Sequence, residues 1–125
     1  MSTNATIAIR NDDGSYRHIY CHHDGYLEGV GLTLLENYTT KEQVNELLDL
    51  GDCSTLGESL EDSEFYGRDR YESGADACVV DGYDDLLDEC HDYCYIFVDG
   101  KWTVNFYCGG ERLSLADELR KEMEE

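Results

Sequence analysis

The chain has 125 residues, and 29 acidic side chains against 9 Lys and Arg give it a formal charge of −20. Its length fits a single domain over residues 1–125. Its charge argues against direct binding to nucleic acid or to an anionic membrane, because both require Lys and Arg. A hydrophobic content of 41%, with 10 Tyr and one Trp, is too high for a disordered acidic tail, so we expect a folded core.

The N-terminal segment predicts a β-hairpin. Residues 6–10 and 16–21 read as two strands, with Ile7 and Ile9 on one face, and an Asn-Asp-Asp-Gly turn separates them. Gly14 of that turn can take the positive φ that a tight turn requires. Residues 21–31 are predicted as a loop.

Two helices should follow this loop, over residues 32–38 and 41–50. Thr40 is a typical N-cap residue, and Gln43 stands three positions later, as in a capping box. Gly51 is expected to end the second helix, because glycine readily adopts the left-handed conformation found just past a helix.

The centre of the chain, residues 58–92, is its most acidic part. Thirteen Asp and Glu lie there against only Arg68 and Arg70. Within it we predict a strand near residues 77–80 and a short helix near 83–91.

The C-terminal third predicts a second hairpin and a final helix. Residues 93–98 and 101–107 flank Asp99-Gly100, a typical two-residue hairpin turn. Ser114 is expected to cap a helix that buries Leu115, Leu119 and Met123. The predicted fold is therefore an α+β domain, in which amphipathic helices cover one face of an antiparallel sheet formed by the two hairpins.

The carboxylates are the most informative candidate site. Acids three or four positions apart on a helix stand about 5–6 Å from each other, and the phosphates of one DNA strand follow each other about every 3.4 Å. A row of carboxylates can thus imitate a phosphate track. The alternative is that acidity only keeps the protein in solution, although a charge of about 2–8 suffices for that. The predicted protein-binding face consists of Glu58, Glu61, Asp62, Glu64, Asp81, Asp84, Asp85, Asp88, Glu89 and Asp92.

A second candidate is a ligand loop followed by a small basic island. An anion could contact the loop and the two arginines of the acidic centre. The alternative is that these arginines only neutralise neighbouring acids. The residues of this candidate site are His22, His23, Asp24, Tyr26, Arg68 and Arg70.

The cysteine and histidine pattern predicts neither a metal site nor a cofactor. Cys21 and His22 are adjacent on a predicted strand and point to opposite faces, and the chain has no CxxC pair. Carboxylates around most of the cysteines disfavour a reactive thiolate. The N-terminus lacks a secretion signal, so we expect a cytoplasmic protein with reduced thiols.

The chain resembles a family of small proteins encoded by phages and mobile elements of Gram-positive bacteria. The resemblance rests on a Cys-His-x-Asp-Gly-Tyr loop at residues 21–26, on segments 34–39 and 50–57, and on a Tyr-Gly-Arg-Asp-Arg motif at 66–70. It implies an origin in a mobile element. Small acidic phage proteins often block a host machine, such as a restriction or CRISPR nuclease.

These observations predict a non-enzymatic inhibitor in the host cytosol, whose acidic face occupies the basic nucleic-acid-binding groove of a host defence protein. Two other classes stay open. One is a small-ligand module, such as a sponge for a signalling nucleotide, that uses the loop and the two arginines. The other is a metal or thiol enzyme. The residues do not indicate an oligomeric state.

Overall fold

The computed structural model of the protein describes residues 3–90, 92–107 and 109–124. Its strands are β1 (Ala5–Arg10), β2 (Tyr16–Cys21), β3 (Cys53–Thr55), β4 (Glu64–Phe65), β5 (Cys78–Val80), β6 (Tyr93–Val98), β7 (Lys101–Phe106) and β8 (Leu113–Ser114). Its helices are α1 (Leu32–Asn37), α2 (Lys41–Asp49), α3 (Tyr66–Arg70), α4 (Tyr83–Asp88) and α5 (Leu115–Met123), and a π-helical turn covers Leu27–Gly31. Within the described residues, no helix combines the length and apolar character needed to cross a bilayer.

The strands form one mixed sheet in the order β4-β3-β2-β1-β6-β7-β8, and β5 also pairs with β2. Both predicted hairpins are present and antiparallel. They join through a parallel pairing of β1 with β6, in which Ala5 faces Tyr93, and β2 also runs parallel to β3. The prediction of a wholly antiparallel sheet was therefore wrong. Hydrophobic alternation shows which side chains face a core but not the direction of the neighbouring strand, and the long segment between β1 and β6 permits the parallel connection.

The larger core lies between one face of the sheet and helices α1, α2 and α5. Ile7, Ile19 and Tyr95 come from the sheet and are at most 1% exposed. The helices contribute Leu34, Val44, Leu47, Leu48, Leu115 and Leu119. This arrangement confirms that amphipathic helices cover a face of the sheet.

The opposite face carries a smaller core beneath α4. Leu86 of this helix is fully buried together with Ala8 and Ile96 of the sheet. The expectation that helices cover only one face was wrong, because the short Tyr83–Asp88 helix packs on the other side through this leucine. An acidic helix is thus held to the sheet by few apolar residues.

The local signals at turns and caps are confirmed. Thr40 and Gln43 form the predicted capping box, and Ser114 accepts a hydrogen bond at the start of α5. Gly51 has a φ of 81°, and Asp99-Gly100 has φ angles of 52° and 79°, as a two-residue hairpin turn requires.

Other local predictions were wrong or incomplete. The predicted loop at 21–31 contains the π-helical turn, and residues 53–70 form β3, β4 and α3, which the sequence did not indicate. Met123 is 64% exposed rather than buried, because α5 extends past the sheet. The acidic helix ends at Asp88, and His91, where its end was predicted, lies outside the described residues.

Candidate functional site

Five carboxylates lie on and beside helix α4, and we call them the α4 surface. The buried Leu86 turns the acidic positions of the helix towards solvent. Residues from β5 and α4 line a shallow depression of about 340 Å³, and four of the five carboxylates belong to this lining. The fifth, Asp84, is exposed on the same helix. The α4 surface consists of Asp81, Asp84, Asp85, Asp88 and Glu89.

None of the cations in residues 3–90, 92–107 and 109–124 forms an ion pair with the α4 surface. The six ion pairs in this part of the chain use Asp12, Asp49, Glu64, Asp69, Asp117 and Glu118 as their acids. The α4 surface therefore concentrates like charges that repel one another. A basic partner would relieve that repulsion when it binds.

Three side chains outside the acidic residues hold the start of α4 on the sheet. The Tyr83 hydroxyl donates to the carbonyl of Gly110 at 2.9 Å and accepts from the buried amide of Asn105. The Arg112 guanidinium lies 4.3 Å from the centre of the Tyr83 ring and donates to the Tyr16 hydroxyl at 3.3 Å. Arg112 thereby joins α4 to β2.

Replacing Arg112 with methionine should loosen α4, because the cation that stacks on Tyr83 is lost while much of the aliphatic stem remains. We expect the free energy of unfolding to fall by about 1 kcal/mol. Amide hydrogen exchange should accelerate more in α4 than in β6. Lys101→Met is the control, since Lys101 is exposed and forms no ion pair within the described residues. Unchanged exchange in α4 of the Arg112 variant would contradict this anchoring role.

The other acids of the predicted face lie on different elements. Three of them precede β4, namely Glu58, Glu61 and Asp62. Glu64 is in β4 and is paired with Arg70 at 2.6 Å. Asp92 precedes β6, and its carboxylate accepts from the Asn4 backbone at 3.4 Å. The ten predicted residues are thus divided between the β4 edge and the α4 side, and only the second group includes a continuous unpaired surface.

Close backbone packing accounts for the Asp-Gly-Tyr part of the predicted ligand loop. A Cβ atom on Gly25 would lie 2.6 Å from the backbone carbon of Asn4, so only glycine fits there. The Tyr95 hydroxyl donates to the Gly25 carbonyl at 2.6 Å, and Asp24 adopts a φ of 58°. These contacts give the motif a structural role.

The histidines of the loop are also engaged by the fold. The His22 ring nitrogen Nδ1 lies 2.6 Å from the Tyr20 hydroxyl. The backbone N–H groups of His22 and His23 donate to carbonyls of β3, and the two rings meet edge to face at 4.5 Å. Tyr26 is 43% exposed. These contacts place the histidines at the junction between β2 and β3.

Both arginines of the basic island are neutralised within the chain. Arg68 pairs with Asp69 at 3.0 Å and Arg70 pairs with Glu64 at 2.6 Å. Each guanidinium also lies over an aromatic ring, 4.9 and 5.0 Å from its centre. This geometry supports the structural interpretation of the basic island over a role in anion binding.

The described cysteines are free thiols, and Cys21 and Cys53 are buried partners on neighbouring parallel strands. A hydrogen bond from Cys21 and burial raise the pKa of the Cys53 thiol. A thiol in this state is a poor nucleophile at neutral pH. Among the described residues, no group of three or more His, Cys, Asp or Glu is arranged to hold a metal ion.

A cavity of about 360 Å³ that the sequence did not indicate lies at the end of the sheet that carries the two hairpin turns. Arg10 and Lys41 line it together with Asp12 and Asp99, so its charges balance. Lys41 is also paired with Asp12 at 3.2 Å. The cavity therefore offers no charge preference that would identify a ligand.

Comparison of the chain with family models, with curated proteins and with solved structures finds no match. The functional argument therefore rests on the geometry of the α4 surface. Sequence reasoning identified its carboxylates but missed Arg112 and Tyr83, which position them. Those contacts join distant parts of the chain, and no local pattern signals them.

Proposed function

We propose that this protein is a non-enzymatic inhibitor that binds, through the α4 surface, a basic nucleic-acid-binding surface of another protein. The observation that carries the proposal is the group of five carboxylates that have no ion pair within the described residues. The family resemblance suggests the class of partner, a host defence nuclease of the restriction or CRISPR type in the host cytosol.

The spacing of the carboxylates supports this proposal. Asp84 and Asp88, like Asp85 and Glu89, stand four positions apart, and Asp85 and Asp88 stand three apart. On a helix such positions are neighbours about 5–6 Å apart. Lys and Arg that are arranged to grip successive phosphates would therefore meet a comparable row of negative oxygens. Electrostatic attraction of this kind raises the rate of association more than it fixes affinity.

Binding to a basic peptide should be strong at low salt and should weaken steeply as salt is added. We expect a fluorescent nine-lysine peptide to bind the native protein, and its affinity to fall roughly tenfold between about 50 and 200 mM salt. The protein should also release a labelled DNA duplex from the same peptide, because the carboxylates and the phosphates compete for it. Fluorescence anisotropy measures both effects.

Two results would contradict the proposal. Affinity for the peptide that does not change with salt would show that charge is not the source of binding. Direct binding of the DNA duplex to the protein would show that the surface does not repel nucleic acid. A neutral peptide of equal length is the control and should not bind.

A further inference from the structure

Three aromatic side chains form an exposed cluster beyond the α4 surface, and we call it the tyrosine cluster. It consists of Tyr93, Phe106 and Tyr107. The ring of Tyr93 lies 6.1 Å from that of Tyr107 and 5.5 Å from that of Phe106. Tyr107 is 71% exposed, so most of its ring faces solvent. Exposed tyrosines gathered in one place are typical of the energetically dominant residues of protein interfaces.

Tyr107 adopts a backbone conformation that does not suit a bulky residue. Its φ is 52°, in the left-handed region where glycine and asparagine are favoured. A strained and exposed aromatic residue indicates a function outside the fold, because burial of its ring does not offset the strain. Tyr71 has a similar φ of 57° and is 91% exposed, but no aromatic contact is seen for it among the described residues.

The surroundings of the tyrosine cluster are negative. The backbone N–H of Tyr107 donates to the Asp92 carbonyl at 2.9 Å, which fixes it beside an acidic residue. Burial of its hydroxyl, the Tyr107 hydroxyl, and the charges of Glu122 and Asp92 raise the pKa of Tyr93. Within the described residues, neither Asp92 nor Glu122 forms an ion pair. Aromatic faces edged by carboxylates suit a planar cation.

The cluster is connected to the α4 surface along the chain. Helix α4 ends at Asp88, Glu89 caps it, and β6 begins at Tyr93. The Thr6 hydroxyl donates to the Glu89 carbonyl, which ties this connection to β1. A partner that contacts Glu89 therefore comes close to Asp92 and to the tyrosines.

We propose that Tyr93 and Tyr107, with Asp92 and Glu122 at their edge, bind an arginine side chain of the same basic partner. This inference rests on the proposed function and specifies the chemistry of its partner. A guanidinium group stacks on aromatic rings and pairs with carboxylates, whereas the ammonium group of lysine is a more strongly hydrated point charge. The α4 surface supplies attraction to any cation, and the tyrosine cluster supplies the preference for arginine.

The test compares a nine-arginine peptide with a nine-lysine peptide of the same length and charge. Native protein should bind the arginine peptide roughly fivefold more tightly. Tyr107→Asn and Tyr107→Gly both suit a φ of 52°, so each should fold at least as stably as the native chain and lose most of that preference. Tyr71→Asn is the matched control, with the same substitution at a similar φ, and should keep the preference.

The outcomes separate this inference from the proposed function. If native protein binds neither peptide, the proposed function fails and the inference fails with it. If it binds both with equal affinity, the α4 surface stands and the arginine site is overturned. A preference that survives both Tyr107 substitutions, or one that the Tyr71 control loses equally, also overturns the assignment to Tyr107. Thermal unfolding of each variant shows that the comparison is made on folded protein.

Discussion

Replacing Gly51 with alanine is expected to lower the free energy of unfolding by about 3 kcal/mol. Gly51 has a φ of 81°, which a residue with a Cβ atom adopts only with strain. An added Cβ would also lie 2.2 Å from the carbonyl oxygen of Ala75, far inside van der Waals contact. This carbonyl accepts the N–H of Asp52 at 2.7 Å, so it cannot move away without breaking that hydrogen bond.

Gly100→Ala provides a matched control for the clash. Its φ of 79° is almost the same, but an added Cβ would meet no atom within 4 Å. We expect a loss of about 1 kcal/mol from backbone strain alone. Urea unfolding, followed by the fluorescence of the single tryptophan, measures both variants. Equal losses would show that residues 75–76 do not press against Gly51 in solution.

Neutralising the helical part of the α4 surface should weaken binding of the nine-lysine peptide about 30-fold. The variant carries four changes, Asp84→Asn, Asp85→Asn, Asp88→Asn and Glu89→Gln. Each exposed ion pair with the peptide is worth about 0.5 kcal/mol, and four together are worth about 2 kcal/mol. The fold should be kept, because the changes remove repulsion between like charges and leave the buried Leu86 untouched.

An equal change of net charge elsewhere provides the control. Four exposed glutamates outside the α4 surface, Glu36, Glu42, Glu46 and Glu111, are each replaced by glutamine. We expect less than about a threefold loss of affinity, because only long-range attraction is reduced. Equal losses in the two variants would show that binding follows the overall acidity of the chain. The α4 surface would then have no special role.

Local features of this fold were predictable and distant pairings were not. Asp99-Gly100 and the capping residues Thr40 and Ser114 act within a few positions, so the sequence alone indicates them. The pairing of β1 with β6 depends on which strands meet after the intervening chain has folded. The contact of Arg112 with Tyr83 also joins residues far apart in sequence. The acidic residues could be identified, but their division between two elements could not.

The central place of β1 in the sheet has a consequence for how the chain folds. The first hairpin forms from neighbouring residues, yet one edge of β1 stays unpaired until β6 arrives from the other end of the chain. Closure of this pairing has a high entropic cost, so the sheet is expected to assemble slowly. During synthesis the open edge is available to other strands, and the strong mutual repulsion of the acidic chains then opposes aggregation.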